Sequence, residues 1–246
     1  MIVNKVIDGW EIIYHYAHGL LAGQIAQQIT HAYRPKYWIE TLTAIIEHDD
    51  NQLDFKQKKY LDSVGAPLDF ELDIPTNEEL YKRASGVLQL AAFKSGWIML
   101  LVSMHVHNLY HKESSPKDKL WNLLQDQIKL RKTLRRRYGI SVEEAEAYYN
   151  ILLFCDRCSL LMCQNAIPSQ GRAIEINKTI NNEQYFIKNV DQTTYTIEPW
   201  CFERDSFEVA VESRTLTQLK FNNNRELQKA LAAANVKIKK WNFKRS

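Results

Sequence analysis

The stretch Val142–Ala166, VEEAEAYYNILLFCDRCSLLMCQNA, carries most of the information about this chain. Ser141 and Glu144 form a capping box ahead of it, so a helix is predicted to start at Val142. Pro168 and Gly171 follow and stop it. Positions three, four and seven residues from Asp156 share its helix face. Five of the six hold Tyr149, Leu152, Leu153, Leu160 and Cys163, so a carboxylate sits in the middle of a core-facing stripe. Ionised and buried, it needs a cation or several donors. An arginine partner would be the plain structural solution.

Working outward, the pattern of apolar residues predicts more helices. They run over about Ala17–Tyr33, Lys36–Asp49, Thr76–Lys94, Ser95–Lys112 and Lys117–Tyr138, the last stopped by Gly139. Glu78 and Glu79 suit the first turn of the third of these. Ile2–Ile7 and Trp10–Tyr14 flank Asp8-Gly9 and predict an opening hairpin with a type I′ turn. Residues 55–75 read as an irregular loop. After Pro168 the composition changes. Ala173–Ile176, Tyr185–Val190, Thr193–Ile197, Phe207–Val211 and Val236–Phe243 read as strands, with one helix over about Arg225–Ala234.

The resulting expectation is a mainly α protein. A hairpin and helical body fill residues 1–168, and a small α+β subdomain, residues 169–246, packs on the body as a cap. The 246 residues, 45% hydrophobic and 25% charged, suffice for a sizeable core. Only 8 Gly and 6 Pro argue against a loop-rich sandwich.

A net charge of +3 is too mild to imply nucleic acid. In Lys129–Arg137 (KLRKTLRRR), Leu130 and Leu134 are spaced as a core stripe, which leaves the charges as a solvated face. The C-terminal Lys237–Arg245 suits an edge strand protected by lysines. There is no signal-peptide pattern and no apolar run long enough for a bilayer. Four cysteines can stay reduced, three of them (Cys155, Cys158, Cys163) on one helix. The expected setting is therefore cytoplasmic, with a small-molecule substrate or ligand as partner, no nucleic acid, no membrane, and a homodimer left open.

Polar residues on apolar faces point to chemistry. His48-Asp49 ends a helix whose preceding turns carry Leu42, Ala44, Ile45 and Ile46. His18 lies one turn inside the first helix, with small Ala22 and Gly23 beside it. Two imidazoles and two carboxylates (His18, His48, Asp49, Asp156) are good ligands for a divalent transition metal such as Fe, Mn, Zn or Ni. Such an ion can activate water near neutral pH. His105 shares a face with Ile98, Leu101, Val102 and Leu109 and should point inward, either as a site residue or as a hydrogen-bonded core histidine. His107 and His111 lie on the other side of that helix, and His15 and His31 read as boundary or surface residues.

The order His18, then His48-Asp49, then a distant Asp156 resembles the HD superfamily of metal-dependent phosphohydrolases. The chain is also similar to a bacterial family known only as a domain of unknown function. The second similarity rests on the opening hairpin, His18-Gly-Leu-Leu-Ala-Gly-Gln, Glu47-His48-Asp49-Asp50, Ser103-Met-His105, Asp156-Arg-Cys-Ser-Leu and Pro199-Trp200. These resemblances imply an HD-like multi-helix bundle, metal ligation by His18, His48, Asp49 and Asp156, and hydrolysis of a small phosphate ester. Asp50 or His105 would serve as the catalytic proton relay. The alternative is a non-catalytic helical binding or sensing module that keeps a metal or small-molecule pocket. The chain departs from both patterns after the pair. Asn51-Gln52 stands where the close family has Gly-Trp, and the basic residue that HD phosphohydrolases often carry for phosphate is missing.

Overall fold

The computed structural model describes residues 1–49, 59–176 and 180–246. The helices follow their local signals. α1 spans His15–Gln28, α2 Trp38–Ile46, α3 Asn77–Lys94, α4 Gly96–Tyr110, α5 Lys119–Tyr138 and α6 Val142–Cys163. Both ends of the capping box before α6 are made, and an equivalent box from Thr76 and Glu79 opens α3. Ser95 breaks the apolar run between α3 and α4 by accepting a hydrogen bond from the Ile98 amide. Gly139 ends α5 in the left-handed conformation, at φ 65°.

The strands are β1 (Ile2–Val6), β2 (Gly9–Ile13), β3 (Ala173–Glu175), β4 (Phe186–Asn189), β5 (Thr194–Glu198), β6 (Ser206–Leu216) and β7 (Val236–Lys244), with α7 (Asn224–Ala233) before the last. They form one mixed sheet in the order β1-β2-β6-β7-β5-β4-β3. Among the described strands, only β5 and β7 pair in parallel.

This sheet corrects the expected architecture. About half the chain is helical and a fifth is strand, in a curled, half-barrel-like seven-stranded sheet, so the fold is not a mainly α HD-like bundle with a small cap. The opening hairpin is no appendage of the helices. Trp10 pairs with Leu216 and Ile12 with Arg214, which ties the N-terminus to β6. β6 is also twice as long as its apolar middle suggests, because Glu208 and Glu212 alternate outward while Val209, Val211 and Ser213 face in.

The hairpin turn differs too. Val6 pairs with Gly9, so Ile7 and Asp8 make the turn, and neither has positive φ. Gly9 (φ +139°) serves a different need, because any Cβ there would run into the Leu216 carbonyl of β6.

The larger hydrophobic cluster among the described residues runs through both halves, from Leu21, Ile25 and Trp97 to Phe154, Ile187, Val209 and Phe243. α1 lies at its centre, packed on α2, α6 and β6. Gln24 fastens α1 to the sheet by exchanging two hydrogen bonds with the Ala210 backbone, both 2.9 Å. Among the described residues, no helix is long and apolar enough to cross a membrane.

Candidate metal centre

Four helices deliver six titratable side chains to one interior point. α1 supplies His15 and His18, three residues apart on one face. His48-Asp49 follows directly after α2, α4 supplies His105, and α6 supplies Asp156. α1 and α2 come this close because Gly19 and Gly23 face Ile46.

α2 ends at Ile46, earlier than its apolar pattern predicts. The reason is local. The His48 ring turns back, and its Nδ1–H donates to the Ile45 carbonyl at 2.6 Å, satisfying an acceptor that the helix end leaves open. With Nδ1 carrying that proton, Nε2 faces Asp156 Oδ1 at 3.1 Å and Asp49 Oδ2 at 3.6 Å.

His18 is held in the same way. The Ser159 hydroxyl donates to the Asp156 backbone carbonyl (2.9 Å), so its lone pair accepts from His18 Nδ1–H, also at 2.9 Å. His18 Nε2 is then directed at Asp49 Oδ2 (3.2 Å) and Asp156 Oδ1 (3.9 Å). In both histidines a neutral ring would set a nitrogen lone pair against carboxylate oxygens. Only a proton or a cation between them removes that repulsion. Metal-bound histidines are commonly oriented by exactly such an outer hydrogen bond on the second ring nitrogen.

Without a metal, a proton takes that role at His48. Burial opposes charge on His48, but Asp156 and Asp49 outweigh it and lift its pKa to about 10. Burial likewise opposes ionisation of Asp49 and Asp156, yet the surrounding imidazoles, His48 foremost, hold both carboxyls below their ordinary value. Burial keeps His105 neutral, with a pKa lowered to about 4, and His48 adds to that shift. His105 lies with its ring edge-on to His48, centroids 4.9 Å apart, and its Nδ1 is 3.4 Å from the Tyr149 hydroxyl.

The donor set fits a divalent cation. Ligand atoms of His18, His48 and Asp156 all lie within 4.8 Å of one another. So do those of His15, His18 and Asp49, and those of His48, Asp49 and His105. Imidazole nitrogens and carboxylate oxygens are the usual partners of first-row divalent ions. The arginine solution for Asp156 is not adopted, because its ion-pair contacts among the described residues are to His18 and His48.

The structure thus brings together His18, His48, Asp49, Asp156 and His105. Asp50 lies outside the described residues, as do Asn51 and Gln52. His107 and His111 stack on each other away from this point, and His31 pairs with Glu203 at the surface. All four cysteines are free and buried.

His15 is the residue that sequence reasoning missed. It is only 3% exposed, packs edge-on against Phe70 and His18, and places Nδ1 3.4 Å from Asp49 Oδ2. The available signal was its spacing of three from His18. A helix placed from Ala17 leaves His15 outside it, whereas α1 begins at His15 itself. Tyr14, the actual cap, makes no side-chain hydrogen bond that would mark the start.

Fold and site together define an α+β protein with a buried histidine–aspartate cluster suited to a divalent metal. The chain belongs to the family described as "Protein of unknown function (DUF3891)", whose profile matches residues 1–218. That match takes in the hairpin, the six helices and the sheet through β6, and leaves α7 and β7 beyond it. No curated protein matches the chain. No solved structure matches it either, so the resemblance to the HD superfamily finds no support there.

Proposed function

We propose that this protein is a metal-dependent hydrolase acting on a small phosphate ester or a related small molecule. The reading is carried by the two buried imidazoles, each fixed at Nδ1 by an outer acceptor so that Nε2 faces carboxylate oxygens. A divalent transition ion (Fe, Mn, Zn or Ni) held by His18, His48, Asp49 and Asp156 would supply Lewis acidity, polarising a substrate oxygen and acidifying water.

The chain's own residues do the rest. Asp49 and Asp156 bring the negative charge that makes the buried point attractive to a cation. Ser159 and the Ile45 carbonyl keep the two rings from rotating. With a single ion bound, His105, neutral and 1% exposed, is the described group best placed to take up a proton during hydrolysis. The Tyr149 hydroxyl, 3.4 Å from His105 Nδ1, orients that ring. Asp50, next in the chain after Asp49, is the other candidate for proton transfer.

The test begins with elemental analysis of protein purified without chelator, followed by a panel of phosphate mono- and diesters. Stoichiometric transition metal that is lost in Asp49→Ala and Asp156→Ala, with helical content retained, supports the centre. Turnover lost in the same variants supports the hydrolase. Metal with no turnover across the panel would leave a non-catalytic binding or sensing module, and no metal would overturn the reading altogether.

A further inference from the structure

We infer that the cluster takes two cations that share Asp49. This deepens the proposed metal centre and rests on it. The argument starts from His15. Its ring is buried, and among the described residues neither nitrogen completes a hydrogen bond. A buried imidazole left in that state is costly, yet its Nδ1 is 3.4 Å from a carboxylate oxygen of Asp49. His105 is equally buried on the opposite side, against His48.

One ion cannot use all six groups and still react. Four imidazoles and two carboxylates would fill an octahedral shell and leave no position for water or substrate. Nor does the spacing allow it, since no group of mutually close ligand atoms contains both His15 and His105.

The nitrogen count gives the division. His18 and His48 each commit Nδ1 to an outer partner, so each has one nitrogen to offer and can serve only one ion. The two close groups that share no histidine are His15-His18-Asp49 and His48-Asp49-His105. Asp49 is their common member. Asp156 falls to the second group, because its Oδ1 is nearer His48 Nε2 (3.1 Å) than His18 Nε2 (3.9 Å). Two divalent ions exceed the charge of two carboxylates, and the excess favours a substrate with an anionic group, such as a phosphate ester.

The decisive experiment loads the full chain with Mn²⁺ after chelator treatment and reads both metal content and the electron paramagnetic resonance spectrum. The expected result is two ions per chain and an exchange-coupled spectrum. His15→Gln should lower the content to one ion and give the six-line signal of isolated Mn²⁺, with unchanged circular dichroism. His105→Gln is the parallel variant on the other side. One ion per chain in the unmodified protein, with an uncoupled signal, overturns this inference and leaves the single-ion centre standing. No bound ion overturns both. Because the unmodified protein already decides between one and two, the outcome stands even if a variant fails to fold.

Discussion

Replacing Gly19 with alanine should open the metal centre without touching a ligand. A Cβ at position 19 would fall far inside contact distance of the Ile46 carbonyl oxygen. That oxygen belongs to the backbone of the last residue of α2, two positions before His48, and it has no rotamer to move into. α1 and the end of α2 must therefore separate by about 1 Å, which a close-packed interface resists at a cost of about 1–3 kcal/mol. The higher helix propensity of alanine returns about 1 kcal/mol, so a net loss of about 0–2 kcal/mol is expected. The metal should suffer more, because the displacement acts on the 3.2 Å approach of His18 to Asp49. Misplacing ligands through their surroundings typically weakens metal binding by about 10–100-fold.

Gly23→Ala provides the control. Its Cβ would meet Ile46 Cγ1 at 2.5 Å and Cδ1 at 3.0 Å, which are side-chain atoms. Adding Ile46→Ala should therefore rescue Gly23→Ala and leave Gly19→Ala unrescued, since the carbonyl remains. Thermal unfolding and metal competition with a fluorescent chelator measure both effects. Unchanged metal affinity in Gly19→Ala, or equal rescue of both variants by Ile46→Ala, would refute the reasoning.

Other outcomes follow from the same geometry. Metal must displace the proton that His48 holds with a pKa of about 10, so apparent affinity should rise about tenfold per pH unit between roughly pH 7 and 9 and level off only above about pH 10. Titration calorimetry in buffers of different ionisation enthalpy should detect about one proton released per chain in that range, and a pH-independent affinity would contradict it. The metal-free protein should behave oppositely in stability. The His48 pKa is raised from 6.5, so its contribution is complete below that value and is lost as pH rises through about 10; denaturant midpoints measured from pH 6 to 11 check this. Ser159→Ala removes the acceptor of the buried His18 Nδ1–H, which should cost about 1–3 kcal/mol in the metal-free protein and weaken metal binding by about 10–100-fold, read by chemical denaturation and by chelator competition.

Local signals carried the helical half of the fold. Capping boxes at Thr76 and Ser141, the stop at Gly139 and the apolar stripes of α4 and α6 are each complete within a few residues, and their elements appear where those signals place them. The same logic marked His18, His48, Asp49, Asp156 and His105 as polar side chains on apolar faces, which folding brings to one point. His15 escaped because the start of its helix has no capping side chain to announce it.

The sheet was decided elsewhere. Pairing Trp10 with Leu216 depends on two segments from opposite ends of the chain, and a strand's alternation says which face is buried but not which strand lies beside it. The mixed seven-stranded order, with β7 between β6 and β5, therefore arises only when the whole chain collapses. Ligand identity is different in kind. Residue type fixes what a side chain can donate, while the distances of 3.1–3.9 Å between imidazole and carboxylate exist only because glycines on α1 let α2 approach. Chemistry was written along the chain, and proximity came from packing.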